Sequence, residues 1–311
     1  MPGPTITAQF PSGAMRPRLA YAGGTSDPGD VGRLSSFVRE RLAEVGVSVR
    51  PSGRLAQSLE IVAQFTELIE DGRHVMHVEP NAAWAFTCGE IYRACLTLEV
   101  FRGQKEIVQR IVNALDEGAV LPPPPGKFDH GRDIFAEYLV AARFARSGLP
   151  VRFEEPDFSF HYHGHWFGVA VKRINSTNPR ALESQFSAGR DQISRSKRPG
   201  IVAFELSNLA QEMVAPVGPV TLDAMTSVRL RLQDDVHEGF LSKMAKTRKN
   251  VKETIGLVSM NTITAYVADE ATLRTMATVN TSYLWPDGSR RANQVYELGN
   301  LLMVNSWPQI T

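Results

Sequence analysis

The sequence predicts an α/β fold: a mixed sheet flanked by helices and preceded by an N-terminal helical subdomain. Three observations carry that expectation. Apolar residues recur at helical spacing in successive stretches between residues 30 and 120. The run Pro122-Pro123-Pro124-Pro125-Gly126 then favours stiff polyproline II and cannot continue a helix. From 130 to 207 the pattern changes to helix, strand, turn, strand, helix, strand.

In chain order, residues 1–29 are rich in proline and glycine and read as a flexible arm. Asp30 is a candidate N-cap for a helix over 31–45, with Leu34, Phe37, Val38, Leu42 and Val45 on one stripe. Helices over 54–71, 82–102 and 104–117 follow by the same periodicity and complete a helical subdomain over 30–121. Residues 122–129 read as a linker, and 130–311 as an α/β domain whose core is 130–207. There the expectations are a helix over 130–147, strands over 151–160 and 165–174 joined at Gly164, a helix over 179–196 and a strand over 200–207. Beyond that, a helix around 222–246, a β-rich segment at 254–268 and a helix near 269–279 are expected. Trp285-Pro286-Asp287-Gly288 reads as a turn.

Composition bounds the function. Of 311 residues, 43% are apolar and 22% charged, and Lys+Arg 34 nearly balances Asp+Glu 33. A net charge of +1 supplies no global basic field, so nucleic-acid contact would rest on local patches. Cys88 and Cys95 are seven residues apart in a helical stretch, about two turns, and read as buried thiols rather than a disulfide or zinc pair. There is no signal-like start and no apolar run of membrane-spanning length, so a cytoplasmic protein without membrane contact is expected. The sequence has no Gly-x-Ser-x-Gly elbow and no Walker-type phosphate loop.

The chemistry-bearing residues lie around the first hairpin. Asp157 follows Pro156 on the first strand. Lys172 stands on the second, among Val169, Val171 and Ile174. Alternation puts Ala170 and Lys172 on one face, with Lys172 within reach of Asp157. Glu137 sits on the preceding helix and Gln192 on the following one. Carboxylates suit hard Mg²⁺, which needs oxygen ligands and is often held by only one or two of them. A lysine beside the metal can orient the attacking water and offset charge building on phosphorus. His161, His163 and His165 surround Gly164 but lack an established metal-ligand spacing, and read as a polar hairpin tip. His130 and Arg132 read as a capping and surface pair. Lys243, Lys246, Arg248, Lys249 and Lys252 suit a helix C-terminus.

Glu137, Pro156-Asp157 and Ala170-Val171-Lys172 together resemble the PD-(D/E)xK nuclease superfamily, the fold of restriction endonucleases and of many repair and defence nucleases. The resemblance covers roughly residues 130–207, and Gln192 is similar to the glutamine of the family's exonuclease-like branch. It implies a restriction-endonuclease-like sheet and Mg²⁺-dependent hydrolysis of phosphodiesters, with Mn²⁺ as a substitute ion. DNA is favoured over RNA, in a defence or repair setting. Asp157, Glu137 and the Val171 carbonyl would be metal ligands, Lys172 the catalytic lysine and Gln192 its helper. Arg173, Arg190, Arg195, Lys197 and Arg198 are the candidate nucleic-acid contacts. A homodimer, or a protein partner on the helical subdomain, is a further expectation.

One family residue is missing, because position 170 is alanine where the family has an acid. Three explanations stand open. The chain carries an inactivating substitution; or the acid has migrated to the next helix, where Glu183 could serve; or the site is degenerate, and the chain is a non-catalytic module that binds nucleic acid or protein.

Overall fold

The computed structural model describes residues 18–25, 28–70, 82–123, 127, 129–214, 221–244, 253–267, 272–283 and 288–305. The elements are β1 (Arg18–Thr25), α1 (Pro28–Glu44), α2 (Arg54–Glu70), α3 (Ala82–Val100), α4 (Lys105–Asp116), α5 (His130–Arg146), β2 (Val151–Arg152), β3 (Phe158–Tyr162) and β4 (His165–Arg173). They continue with α6 (Pro179–Ser196), β5 (Gly200–Glu205), α7 (Ser207–Val214), α8 (Leu222–Met244), β6 (Thr254–Val267), β7 (Thr272–Tyr283) and α9 (Arg290–Asn305).

The strands form one mixed sheet in the order β1-β7-β6-β5-β4-β3-β2. Its centre, β4-β5-β6, is parallel, and every other pairing is antiparallel. Parallel neighbours need helical crossovers, and these coat the sheet. The helices α6 and α8 cover one face; α3, α5, α7 and α9 cover the other. The central β5, Gly-Ile-Val-Ala-Phe-Glu, is buried along its whole length, as a strand covered on both sides must be.

The predicted α/β class is what the chain adopts, and α6 matches the expected bounds of 179–196. Several expectations need correction. Residues 18–25, read as part of the arm, are an edge strand whose eight residues pair antiparallel with β7; residues 1–17 lie outside the described residues. The single strand expected over 151–160 is two strands. Pro156 cannot donate to a ladder, and its ring packs on Gly168, where an added Cβ would lie 2.8 Å from the proline Cδ. The helix expected near 269–279 is strand β7. Asp269, Glu270 and the Leu, Arg, Met and Ala that follow favour a helix. Pairing with β6 over twelve positions, from Gly256↔Tyr283 to Val267↔Thr272, overrides that local preference.

The helices before the proline run do not pack as a separate body. Leu34, Leu55, Leu59, Ile91 and Ile111 belong to the same hydrophobic core as Phe158, Val169, Val202 and Val258. Ion pairs also cross the supposed boundary: Arg54 lies 3.8 Å from Asp129, and Arg132 lies 3.2 Å from Glu90. Cys88 and Cys95 are free and buried, as expected.

Candidate active site

The pairing of β3 with β4 stops at Phe158↔Val169, so the second half of β4 has no antiparallel neighbour. On the other side, β4 pairs with β5 as far as Arg173↔Glu205. This leaves a cleft at the carboxyl end of a parallel strand, between α5 and α6, the place where open α/β sheets commonly hold ligands.

Asp157 sits where the β3 ladder gives out. Its Oδ2 accepts from the Val171 N–H at 2.6 Å, standing in for a strand carbonyl beyond the end of the β3 ladder, and its Oδ1 accepts from Gln192 Nε2 at 3.3 Å. One carboxylate thus ties the hairpin to β4 and to α6. Burial pushes its carboxyl up to about 6, while Lys172, the Val171 amide and Gln192 act in the opposite direction. Glu137 reaches the same place from α5, two turns past the N-cap Asp129, whose side chain accepts from the Arg132 N–H. Burial pushes Glu137 up to about 7; the neighbouring Asp157 charge adds to this and Lys172 opposes it. The four side chains singled out in the sequence therefore share one electrostatic neighbourhood.

The cleft has a volume of about 500 Å³, and Glu137, Val171, Lys172 and Arg173 line it together with Lys127, His130, Asp133, Asn175, Ser176 and Gln185. Of the last six, only His130 was named from sequence, and then as part of a capping and surface pair. Two carried a readable signal: Asp133 is four residues before Glu137, and Gln185 seven before Gln192, spacings that share a helix face. His130 opens α5, and Lys127, Asn175 and Ser176 come from loops.

Other expected residues fall elsewhere. Glu183 is exposed on α6, and the cleft is lined instead by its neighbours two residues away on either side, Ala181 and Gln185, about 200° around the helix. Ala170 is fully buried under α6. A Cβ added to Gly189 would lie 3.5 Å from the Ala170 Cβ and 2.9 Å from Val202 Cγ1, so helix and sheet touch there through small side chains. Leu182, Phe186 and Ile193 anchor the same helix face, each worth roughly 1.5–3 kcal/mol of burial.

Of the expected phosphate contacts, Arg173 borders the cleft, but its Nε donates to Asp133 at 2.5 Å and its Nη1 to Asn175 at 3.0 Å. Arg190 contacts Ser187 and Asp191, and Arg198 is bound by Glu154. Arg195 and Lys197 are exposed at the C-terminal end of α6. Arg132, read as a surface residue, is buried and bound to Asp129 at 2.6 Å, whereas His130 is exposed at the rim of the cleft. His161 and His165 pair with Trp166 and Tyr162 respectively, so they point to opposite faces, and His163 lies 3.2 Å from Glu297. No group of three or more His, Cys, Asp or Glu among the described residues is placed to hold a metal. The side chains of 239–252 lie outside the described residues, and with them the lysines of the expected basic helix end.

Comparison of the chain with protein-family models, curated proteins and solved structures returned no match. Among the described residues no helix is long and apolar enough to cross a membrane.

Proposed function

We propose that the chain is built as a Mg²⁺-dependent nuclease acting on phosphodiester bonds, with DNA the favoured substrate. The supporting observation is that Glu137 and Lys172 line one cleft, while Asp157, bound by Gln192 and by the Val171 N–H, interacts electrostatically with both. The donor set suits the ion: two carboxylates, with the Val171 carbonyl as a third oxygen, and phosphate and water to complete the shell. Asp157 and Glu137 would hold it. When bound, Mg²⁺ supplies Lewis-acid polarisation of the phosphoryl oxygen and stabilises the leaving oxygen.

The protein's own groups supply the rest. Gln192 and the Val171 amide fix the Asp157 carboxylate in one orientation, and each oxygen keeps a lone pair for a further partner. Lys172 positions the attacking water and offsets the charge that grows on the phosphate. Asp133 and Arg173 bind each other at the cleft wall and hold the end of β4 against α5.

A second reading, a non-catalytic nucleic-acid- or protein-binding module, is favoured by position 170. Ala170 is matched to Gly189 across a close helix–sheet contact, as expected if the small residue is intrinsic to this chain. A defence or repair setting suits both readings.

Incubating the chain with single- and double-stranded DNA and RNA in Mg²⁺ or Mn²⁺ separates them. Cleavage that falls at least ~100-fold in Lys172→Met and Asp157→Asn is expected of an active enzyme. Cleavage only by a folded Ala170→Glu variant identifies an impaired enzyme. Nucleic-acid or protein binding with no cleavage by either leaves the module. If the chain cuts and Glu183→Gln cuts equally well, an acid supplied by Glu183 is ruled out.

A further inference from the structure

We propose that the arginine-rich interior behind the cleft holds one monoatomic anion, chloride in ordinary solution. This site is separate from the phosphodiester chemistry and does not depend on it. Among the described residues, four arginines and three carboxylates are buried: Arg54, Arg93, Arg132 and Arg143 against Glu90, Asp129 and Glu205, so 4 − 3 leaves one positive charge. Burying an uncompensated charge is costly, and such charges are normally paired.

Each of these guanidiniums has at least one partner. Arg54 donates to the carbonyls of Leu115 and Ala114 at 2.9 and 3.1 Å. Arg132 lies between Glu90 at 3.2 Å and Asp129 at 2.6 Å. Arg93 Nη2 donates to Asn208 Oδ1 at 3.2 Å, and Glu205 accepts from the Ser207 N–H at 2.9 Å. Arg143 binds Thr262. Six guanidinium nitrogens among the described residues have no hydrogen-bond partner: Arg54 Nη1, Arg132 Nε, Arg143 Nε and Nη1, Arg93 Nη1 on a residue 3% exposed, and Arg173 Nη2 on a side chain 4% exposed.

Arg93 and Arg173 border the same small, partly open cavity, of about 10 Å³, with Arg132, Asn208, Glu90 and Glu205 as the other polar walls. A space of about one probe sphere admits a single atom-sized occupant. Sulfate, phosphate and nitrate are too large. Water could accept both N–H groups but would leave the buried charge uncompensated. A halide accepts from several N–H groups at once and cancels that charge. The carboxylates in the wall are already engaged, Glu90 by Arg132 and Glu205 by Ser207, and three guanidiniums outnumber them. Arg173 also lines the cleft, so the ion would steady the residue that ties β4 to Asp133.

Two measurements on the full chain decide it. Crystals grown in bromide are expected to give an anomalous peak within hydrogen-bond distance of Arg93 Nη1 and Arg173 Nη2. Melting temperature is expected to rise saturably, by roughly 2–4 °C, as chloride or bromide replaces acetate at fixed ionic strength. A folded Arg93→Met variant is expected to lose that rise; if it does not fold, the bromide map on the unaltered chain still decides. A cavity showing water without an anomalous peak overturns the proposal, whether or not the melting temperature responds to salt.

Discussion

At the residue scale, Glu137 and Asp157 are carboxyls held in a buried neighbourhood that favours their protonated forms. Burial raises both carboxyls, to about 7 and about 6, from ordinary values of 4.5 and 3.8. Between roughly pH 4 and 7 the folded chain therefore keeps protons that the unfolded chain has released, and the stability they contribute is lost as pH rises through that window. Without divalent ions, the melting temperature is expected to fall from pH 5 to 7 and level off above. Saturating Mg²⁺ should shrink the fall, because the ion replaces the protons. Glu137→Gln should remove much of it even without metal. A flat profile in the unaltered chain would mean the two acids are not coupled as described. The residue types needed here were legible in the sequence, since Asp157 and Lys172 flank a hairpin and Glu137 and Gln192 sit on its neighbouring helices. The role of Arg132 was not, because Glu90, which joins the nearby Asp129 in holding it, is distant in sequence and meets it only on folding.

At the element scale, the N-terminal strand has the clearest consequence. β1 covers the edge of β7 with eight paired residues, and an uncovered edge strand is a template for association between chains. Removing residues 1–25 is therefore expected to lower the denaturation midpoint and to promote aggregation, read by unfolding curves and light scattering. An unchanged midpoint in a monomeric product would show that β1 adds nothing to the sheet. Helices whose apolar stripe faces the core were readable, α6 above all, because its signal is carried by its own residues. β1 and β7 were not. Gly23 and Gly24 make β1 look like loop, and β7 is specified by a long ladder with β6 that no local window contains.

At the scale of the whole molecule, one core joins the early helices to the sheet, and buried ion pairs stitch Arg54, Glu90, Asp129 and Arg132 across the proline-rich segment. The chain is expected to unfold in one cooperative transition by circular dichroism and tryptophan fluorescence, and an isolated 30–121 fragment should lack stable tertiary structure. Two separated transitions would restore the division into subdomains that the proline run suggests. The same integration assembles the site from α5, the segment before β3, β4 and α6, so a test of the proposed metal binding reads the fold and the chemistry together. The most direct test is a Mn²⁺ titration followed by electron paramagnetic resonance at pH 7.5. One ion per chain is expected, with affinity reduced at least ~10-fold in folded Asp157→Asn and Glu137→Gln variants. No binding by the unaltered chain, or binding that both variants leave intact, would contradict the proposed metal-dependent site.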